Sequence, residues 1–305
     1  MLRSNRTLFR LSGWATAACC RRLSSGYETT LNGYGVNLAD PLGDGADPFV
    51  KAWIDDTARL PQDAAGLEVG TAFGAATFAA LQQGAPTVLA NDLEGRHLAA
   101  LRKRWNAWSD DFSNSHSRVD KQRLVEIPGA APSALATSAA HNRSIHTILI
   151  ANVIHFLSPD DIVSMLVSVR SLVVPGARLY VSLDSPWTVG YRPLWPLYRF
   201  RKHLLKSPYP GAHRVSRVAK RTLIPERLRG APYYHVMEPE ALRCFLERSG
   251  WHVAECRYFG GDKAGNPAGV NLDGEQAGKE MCGAMAVKPT KCRGEQLTFP
   301  VRDEE

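Results

Sequence analysis

The stretch Leu67-Glu68-Val69-Gly70-Thr71-Ala72-Phe73-Gly74 sets an acid two residues before a turn of small residues. A buried strand that runs through such a turn into a helix lets a ligand approach the backbone closely. The helix start then presents unpaired N–H groups. Asp92 follows Gly70 by 22 residues and ends a second apolar run. An acid at a strand end at that distance can accept hydrogen bonds from both hydroxyls of a ribose. The pair therefore describes a nucleoside site. The dinucleotide turn G-x-G-x-x-G would need Gly70, Ala72 and Ala75 all to be glycine, and only the first is. Glu68 would repel a pyrophosphate, whereas it suits a cationic amino-acid group, directly or through water.

The pattern acid-x-G-x-G-x-G is met at Glu68, Gly70 and Gly74, with Ala72 at the middle glycine. On these residues the chain resembles the class I S-adenosylmethionine (SAM)-dependent methyltransferases over roughly residues 47–288. Val88-Leu89-Ala90-Asn91-Asp92, with Arg96-His97-Leu98 after it, belongs to the strongest part of the match. ILIANVIHFL at 148–157 is similar to the family's fourth strand and edge loop, and Leu172–Leu179 to its turn into strand five. The resemblance implies a Rossmann-like, doubly wound, seven-stranded sheet, mostly parallel, with an antiparallel last strand. It implies SAM as cofactor, with Glu68, Gly70, Thr71, Ala72, Phe73 and Gly74 at the methionine end. Asp92 and Leu93 would serve the nucleoside, and Asn152 would line the transfer cleft. Two departures stand out. Ala72 is tolerable if its φ is negative, and Pro128-Gly129-Ala130 replaces the acid the family often has near the adenine amine. Adenine would then meet Gly129 and Ala130 through their backbone, or Ser133.

His155 lies just past the fourth strand, where it would act as a general base or orient an acceptor. It would equally pack beneath the next helix, since methyl transfer needs alignment more than acid–base help. Segment 190–230 carries eleven Lys and Arg against Glu226 alone, interleaved with Tyr191, Trp195, Tyr198, Phe200 and Tyr209. Placed after strand five, it reads as a substrate lid over 190–236. It suits an anionic substrate, RNA phosphates or an anionic membrane. His235 and Tyr233-Tyr234 follow it and would close over substrate or belong to its hinge.

These residues need elements to position them. Short β-type runs at Gly66–Val69, Thr87–Asn91, Arg123–Ile127, His146–Asn152 and Ala177–Leu183 alternate with helical runs at Ala75–Gln83, Glu94–Trp108 and Pro159–Val173. That alternation predicts a parallel sheet covered on both faces. Asp47-Pro48 and Ser158-Pro159 are helix starts, and Pro175-Gly176 is a stop. A helix at Glu238–Ser249 and strands at Trp251–Phe259 and Cys282–Lys288 complete the domain. Residues 31–47 and 260–278 read as loops.

Composition is that of a globular chain, 44% hydrophobic and 22% charged. The net charge of +7 is unevenly spread. Residues 1–27 hold five arginines and no acid, segment 190–230 carries +10, and the remainder is acidic at −8. Residues 1–27 read as a cleavable mitochondrial targeting peptide, cut near Leu23 and directing the chain to the matrix, or as a basic tail. Residues 28–290 form the catalytic domain and 291–305 a tail. No run is long and apolar enough to span a bilayer. The six cysteines form no C-x-x-C pair, so neither zinc nor a disulfide framework is indicated. The acceptor expected is a small or lipid-like molecule, because no RNA-binding module accompanies the core. An RNA methyltransferase, a non-catalytic binding or assembly protein of the same fold, and an NAD(P)-dependent oxidoreductase are the rivals.

Overall fold

The computed structural model describes residues 27–29, 35–37, 41–42, 46–115, 119–136, 143–188, 191, 194–214, 233–260 and 278–290. Most of the expected presequence, much of segment 190–236 and the tail 291–305 lie outside them. Tyr27, the last presequence residue, begins β1 (Tyr27–Thr29), which pairs antiparallel with β2 (Gly35–Asn37). The expected loop over 31–47 therefore contains a strand. Its alternation was too short to stand out among Gly, Asn and Asp.

The body alternates as the sequence predicts: α1 (Pro48–Ala58), β3 (Ala64–Val69), α2 (Ala75–Gln82), β4 (Val88–Asp92), α3 (Gly95–Ser115), β5 (Leu124–Pro128), α4 (Ser133–Ala136), β6 (Ser144–Ala151), α5 (Pro159–Leu172) and β7 (Val173–Asp184). Then come α6 (Trp195–Arg199), continued by a π-helical turn to Leu204, and the pair β8 (Ala212–Arg214) and β9 (Tyr233–His235). Helix α7 (Pro239–Arg248) and strands β10 (His252–Phe259) and β11 (Met281–Val287) close the chain. Helix starts are where their caps put them. Asp47 Oδ1 accepts from Phe49 N at 2.8 Å, and Ser158 Oγ accepts from Asp161 N at 3.2 Å. Pro175-Gly176 lies inside β7 instead of closing α5. Gly176 N donates to Lys288 O at 2.9 Å there, so the sheet recruits the stop signal as a strand entry.

The seven strands lie in the order β10-β11-β7-β6-β3-β4-β5. Pairings are parallel from β7 through β5, and β11 runs antiparallel to both of its neighbours. This is the doubly wound, seven-stranded α/β sheet that the resemblance implies, with the last strand inverted. Period-two alternation sorts the side chains. Leu67, Val69, Ile148, Ile150, Leu179 and Val181 pack with α5 and α7 on one face. Val88, Ala90, Leu149 and Tyr180 pack with α1, α2 and α3 on the other. Each fully buried side chain of leucine size contributes ~2 kcal/mol, and both faces are lined with them. The same alternation puts Glu68 and Asp92 on the α2–α3 side of the sheet, at the ends of adjacent strands.

Candidate functional site

The β3–α2 turn is shaped by its backbone. Gly70 and Gly74 have φ of +72° and +71°, and Ala72 has φ of +47°. The expectation of a negative φ at Ala72 is thus corrected. A residue with a Cβ in the left-handed region costs roughly 1–2 kcal/mol, which the surrounding bonds must offset. Gly70 N and Thr71 N both donate to Asn91 O, at 2.8 and 2.9 Å, and Ala72 N donates to Asp92 Oδ2 at 2.7 Å. Gly74 N closes the turn on Thr71 O at 2.8 Å. The turn also lies against its neighbours. A Cβ on Gly70 would come within 2.3 Å of Val153 Cγ2, and one on Gly74 within 2.5 Å of Leu101 Cδ1.

Glu68 sits beneath this turn. Its Oε2 accepts from Thr71 Oγ1 at 2.7 Å, from Thr77 N at 3.0 Å and from the Thr77 hydroxyl. The carboxylate anchors the first turn of α2, where negative charge meets the positive end of the helix. Burial pushes its pKa up, the Thr77 and Thr71 bonds oppose that shift, and the nearby Asp92 adds to it. Sequence reasoning found Glu68 and missed Thr77, whose place in the first turn of α2 was the available signal.

Asp92 is buried at the end of β4 with three donors. Besides Ala72 N, its Oδ1 accepts from Glu94 N at 2.8 Å and lies 3.0 Å from His97 Nδ1. A carboxylate offers about four acceptor positions, so capacity remains for a further hydroxyl. Leu93, next to it, presents an apolar side chain 63% exposed. Phe73 is half-buried with its ring centroid 4.8 Å from that of His97. At the adjacent end of β5, Gly129 N donates to Asp92 O at 2.9 Å, and Asn91 Nδ2 donates to Ile127 O at 2.8 Å and Gly129 O at 3.0 Å. Gly129 (φ +116°) and exposed Ala130 therefore belong to the same rim. Ser133 Oγ donates to Ala130 O at 3.2 Å, which ties it to the start of α4.

Asn152 leaves β6 in the left-handed region, with φ of +56°. Asn tolerates that conformation better than most residues, and its N donates to Ser182 O at 2.8 Å. The structure brings Glu68, Gly70–Gly74, Asp92 and Gly129 together, and Val153, one residue past Asn152, touches the turn.

His155 belongs to a second cluster. It is buried, with its ring against Phe156 (centroids 4.0 Å apart) and near Tyr234 (5.8 Å). Tyr234 donates to Asp184 Oδ2 at 2.8 Å, and Asp184 ends β7 as Asp92 ends β4. Beside them the Tyr191 hydroxyl bonds His213 Nε2, and Arg201 Nη1 donates to Ala212 O at 2.5 Å. Burial lowers the pKa of His213 to about 4 and of His235 to about 3, with the Arg201 charge helping in both. Asp184 escaped the sequence reading, although the criterion used for Asp92, an acid at a strand end, would have found it. Among the described residues no cluster of His, Cys, Asp or Glu could hold a metal ion. Nor is any described helix long and apolar enough to cross a membrane.

No family model and no curated protein sequence matches the chain. Solved structures do resemble it. A SAM-dependent methyltransferase from Methanosarcina mazei is 14% identical, covers 80% of this chain and 99% of its own, and has a TM-score of 0.49. The glycopeptide N-methyltransferase MtfA, complexed with S-adenosyl-L-methionine, is 18% identical over 80% of this chain and 95% of its own, at a TM-score of 0.45. An S-adenosylmethionine-dependent methyltransferase from Mesorhizobium loti is 16% identical over 79% and 96%, at 0.44.

Proposed function

We propose that the chain is a SAM-dependent methyltransferase acting on a small or lipid-like acceptor. One observation carries the reading. The left-handed Gly70–Ala72–Gly74 turn and the Asp92 carboxylate are bonded to one another across the strand ends, with Glu68 beneath them.

The residues present fit the cofactor. Gly70 and Gly74 let the turn pack closely on Val153 and Leu101, and Asp92 keeps acceptor capacity for a ribose hydroxyl. The open apolar face of Leu93 suits an adenine ring, with the backbone of Gly129 and Ala130 at its edge. Bound SAM supplies a methyl group on a sulfonium, which passes to a nucleophilic acceptor and leaves S-adenosylhomocysteine. The chain's own work is alignment and exclusion of water. Asp92 fixes the ribose, the turn fixes the amino-acid end, and Asn152 and Val153 bound the cleft between β3 and β6. His155, Tyr234 and Asp184 stand at the ends of β6 and β7, on the edge where open α/β sheets bind ligands. They orient an acceptor there, with His155 available as proton acceptor and segment 190–236 as the cover. Residues 1–27 direct the chain to the mitochondrial matrix, which import of a reporter fused to them would check.

The described outer surface of segment 190–236 exposes Leu197, Leu204 and Leu205 beside Phe200, an apolar row that supports an apolar acceptor over RNA. Calorimetric titration of the full chain with SAM, S-adenosylhomocysteine, NADH and NADPH tests the reading. Binding of SAM and S-adenosylhomocysteine, weakened by Asp92→Asn, is the expected result. Binding of NADH instead assigns an oxidoreductase, and binding of none assigns a non-catalytic member of the fold.

A further inference from the structure

Six large apolar side chains are exposed among the described residues, and four of them lie within nine residues: Leu197 (43%), Phe200 (46%), Leu204 (73%) and Leu205 (61%). They stand on α6 and its π-helical continuation. The spacing of Leu197, Phe200 and Leu204 is that of one helix face, and Arg199, His203 and Lys206 are exposed beside them. The opposite side is tied down. Tyr198 is buried 6.3 Å from the Tyr191 ring, Lys202 pairs with Glu238, and Arg201 donates to Ala212 O. The apolar row therefore does not belong to the core of its own domain. A contiguous exposed apolar patch on a globular protein marks an interaction surface.

The charge around the row says of what kind. From Leu194 to Arg214 there are five Lys and Arg and no acidic residue. A protruding helix with leucines and phenylalanine outward and basic residues at its flanks matches a bilayer interface. There the apolar face sinks ~5–10 Å and the cations meet lipid phosphates. We infer that segment Trp195–Lys206 docks the protein on an anionic membrane surface, lying in the interface without crossing it. Docking sets the cover of the Asp184–Tyr234 cluster against the bilayer, so an apolar acceptor reaches the site from the lipid side. The attachment itself does not depend on the proposed methyl transfer, and its test uses neither SAM nor turnover.

The test is co-sedimentation of the full chain with vesicles of phosphatidylcholine alone or mixed with phosphatidylglycerol. Binding to the mixed vesicles and weak binding to phosphatidylcholine are expected. The double variant Phe200→Ser, Leu204→Ser should bind ~30-fold more weakly or worse. Arg199→Glu with Lys206→Glu should lose ~10-fold or more, and salt should weaken the wild-type chain in the same direction. All four side chains point outward, and an unchanged unfolding midpoint verifies that each variant is folded. Failure of the full chain to bind mixed vesicles overturns the inference. Equal binding by wild type and both variants also overturns it, because the attachment then belongs elsewhere, residues 1–27 being the other basic segment. Vesicle binding absent, with a concentration-dependent dimer that Phe200→Ser, Leu204→Ser abolishes, overturns it in favour of a second copy of the chain.

Discussion

Asp92 and Asp184 occupy equivalent places, each buried at the C-terminal end of a parallel strand, and their surroundings differ in kind. Asp92 is held by the amides of Ala72 and Glu94 and by His97, all within 20 residues of it along the chain. Asp184 accepts from the hydroxyl of Tyr234, 50 residues away, at 2.8 Å and more distantly from Thr188 Oγ1 at 3.5 Å, and Tyr234 packs with Tyr191, Tyr198 and Val236. The first is made of two backbone amides and one histidine from nearby stretches of chain, so its shape is set locally. The second is made of side chains brought in by segment 190–236, so its shape follows that segment. On the proposed function, the locally built cluster would hold the cofactor and the segment-borne cluster would meet the acceptor.

The contrast can be broken most severely at the turn. Gly70→Ala places a Cβ against Val153 at a φ that L-residues avoid, and should cost about 3 kcal/mol of stability in urea unfolding, with cofactor binding lost. A smaller effect is expected at the carboxylate. Asp92→Asn should raise the Kd for SAM ~10–100-fold in calorimetry, the loss of a charge-assisted hydrogen bond and its geometry. A SAM affinity unchanged in that variant would place the nucleoside elsewhere. Tyr234→Phe removes one hydrogen bond from Asp184 and should cost about 1 kcal/mol of stability. Its kinetic effect should fall on the acceptor's KM while SAM affinity stays as it was, and an equal change in both would erase the division between the two ends.

The mildest perturbation is pH, and it separates the regions by sign. The pKa values of His235 and His213 are depressed by burial, to about 3 and about 4, from 6.5. The unfolded chain binds those protons first, so their contribution to stability is complete above pH 6.5 and is lost as pH falls toward 4 and 3. Glu68 behaves oppositely. Its pKa is raised by burial above 4.5, so its contribution declines as pH rises through and above that value. Urea unfolding between pH 4 and 7 should show the acid loss in the wild type, and His235→Gln should flatten it with little change at pH 7. An acid limb unchanged by His235→Gln would mean that His235 does not titrate with folding.

The placement of Glu68, Gly70, Gly74 and Asp92 was legible because it depends on near neighbours in the chain. A strand end, a turn without side chains and a helix start follow from local composition, and the parallel sheet follows from the alternation of β and α runs. Asp47-Pro48 and Ser158-Pro159 were legible for the same reason, since a cap acts within one helical turn. What sequence alone determined was thus the sheet, its covered faces and a glycine turn at one strand end beside an acid at the next. Only the tertiary structure decided the left-handed φ of Ala72, because it is the bond from Ala72 N to Asp92 that helps to hold it there. Tertiary packing likewise drew Pro175-Gly176 into β7 and joined Asp184 to Tyr234. It also left Phe200 and Leu204 facing outward where an apolar residue would ordinarily be assigned to the core. Each of these depends on which distant segment a side chain meets, and spacing along a single chain carries no record of that.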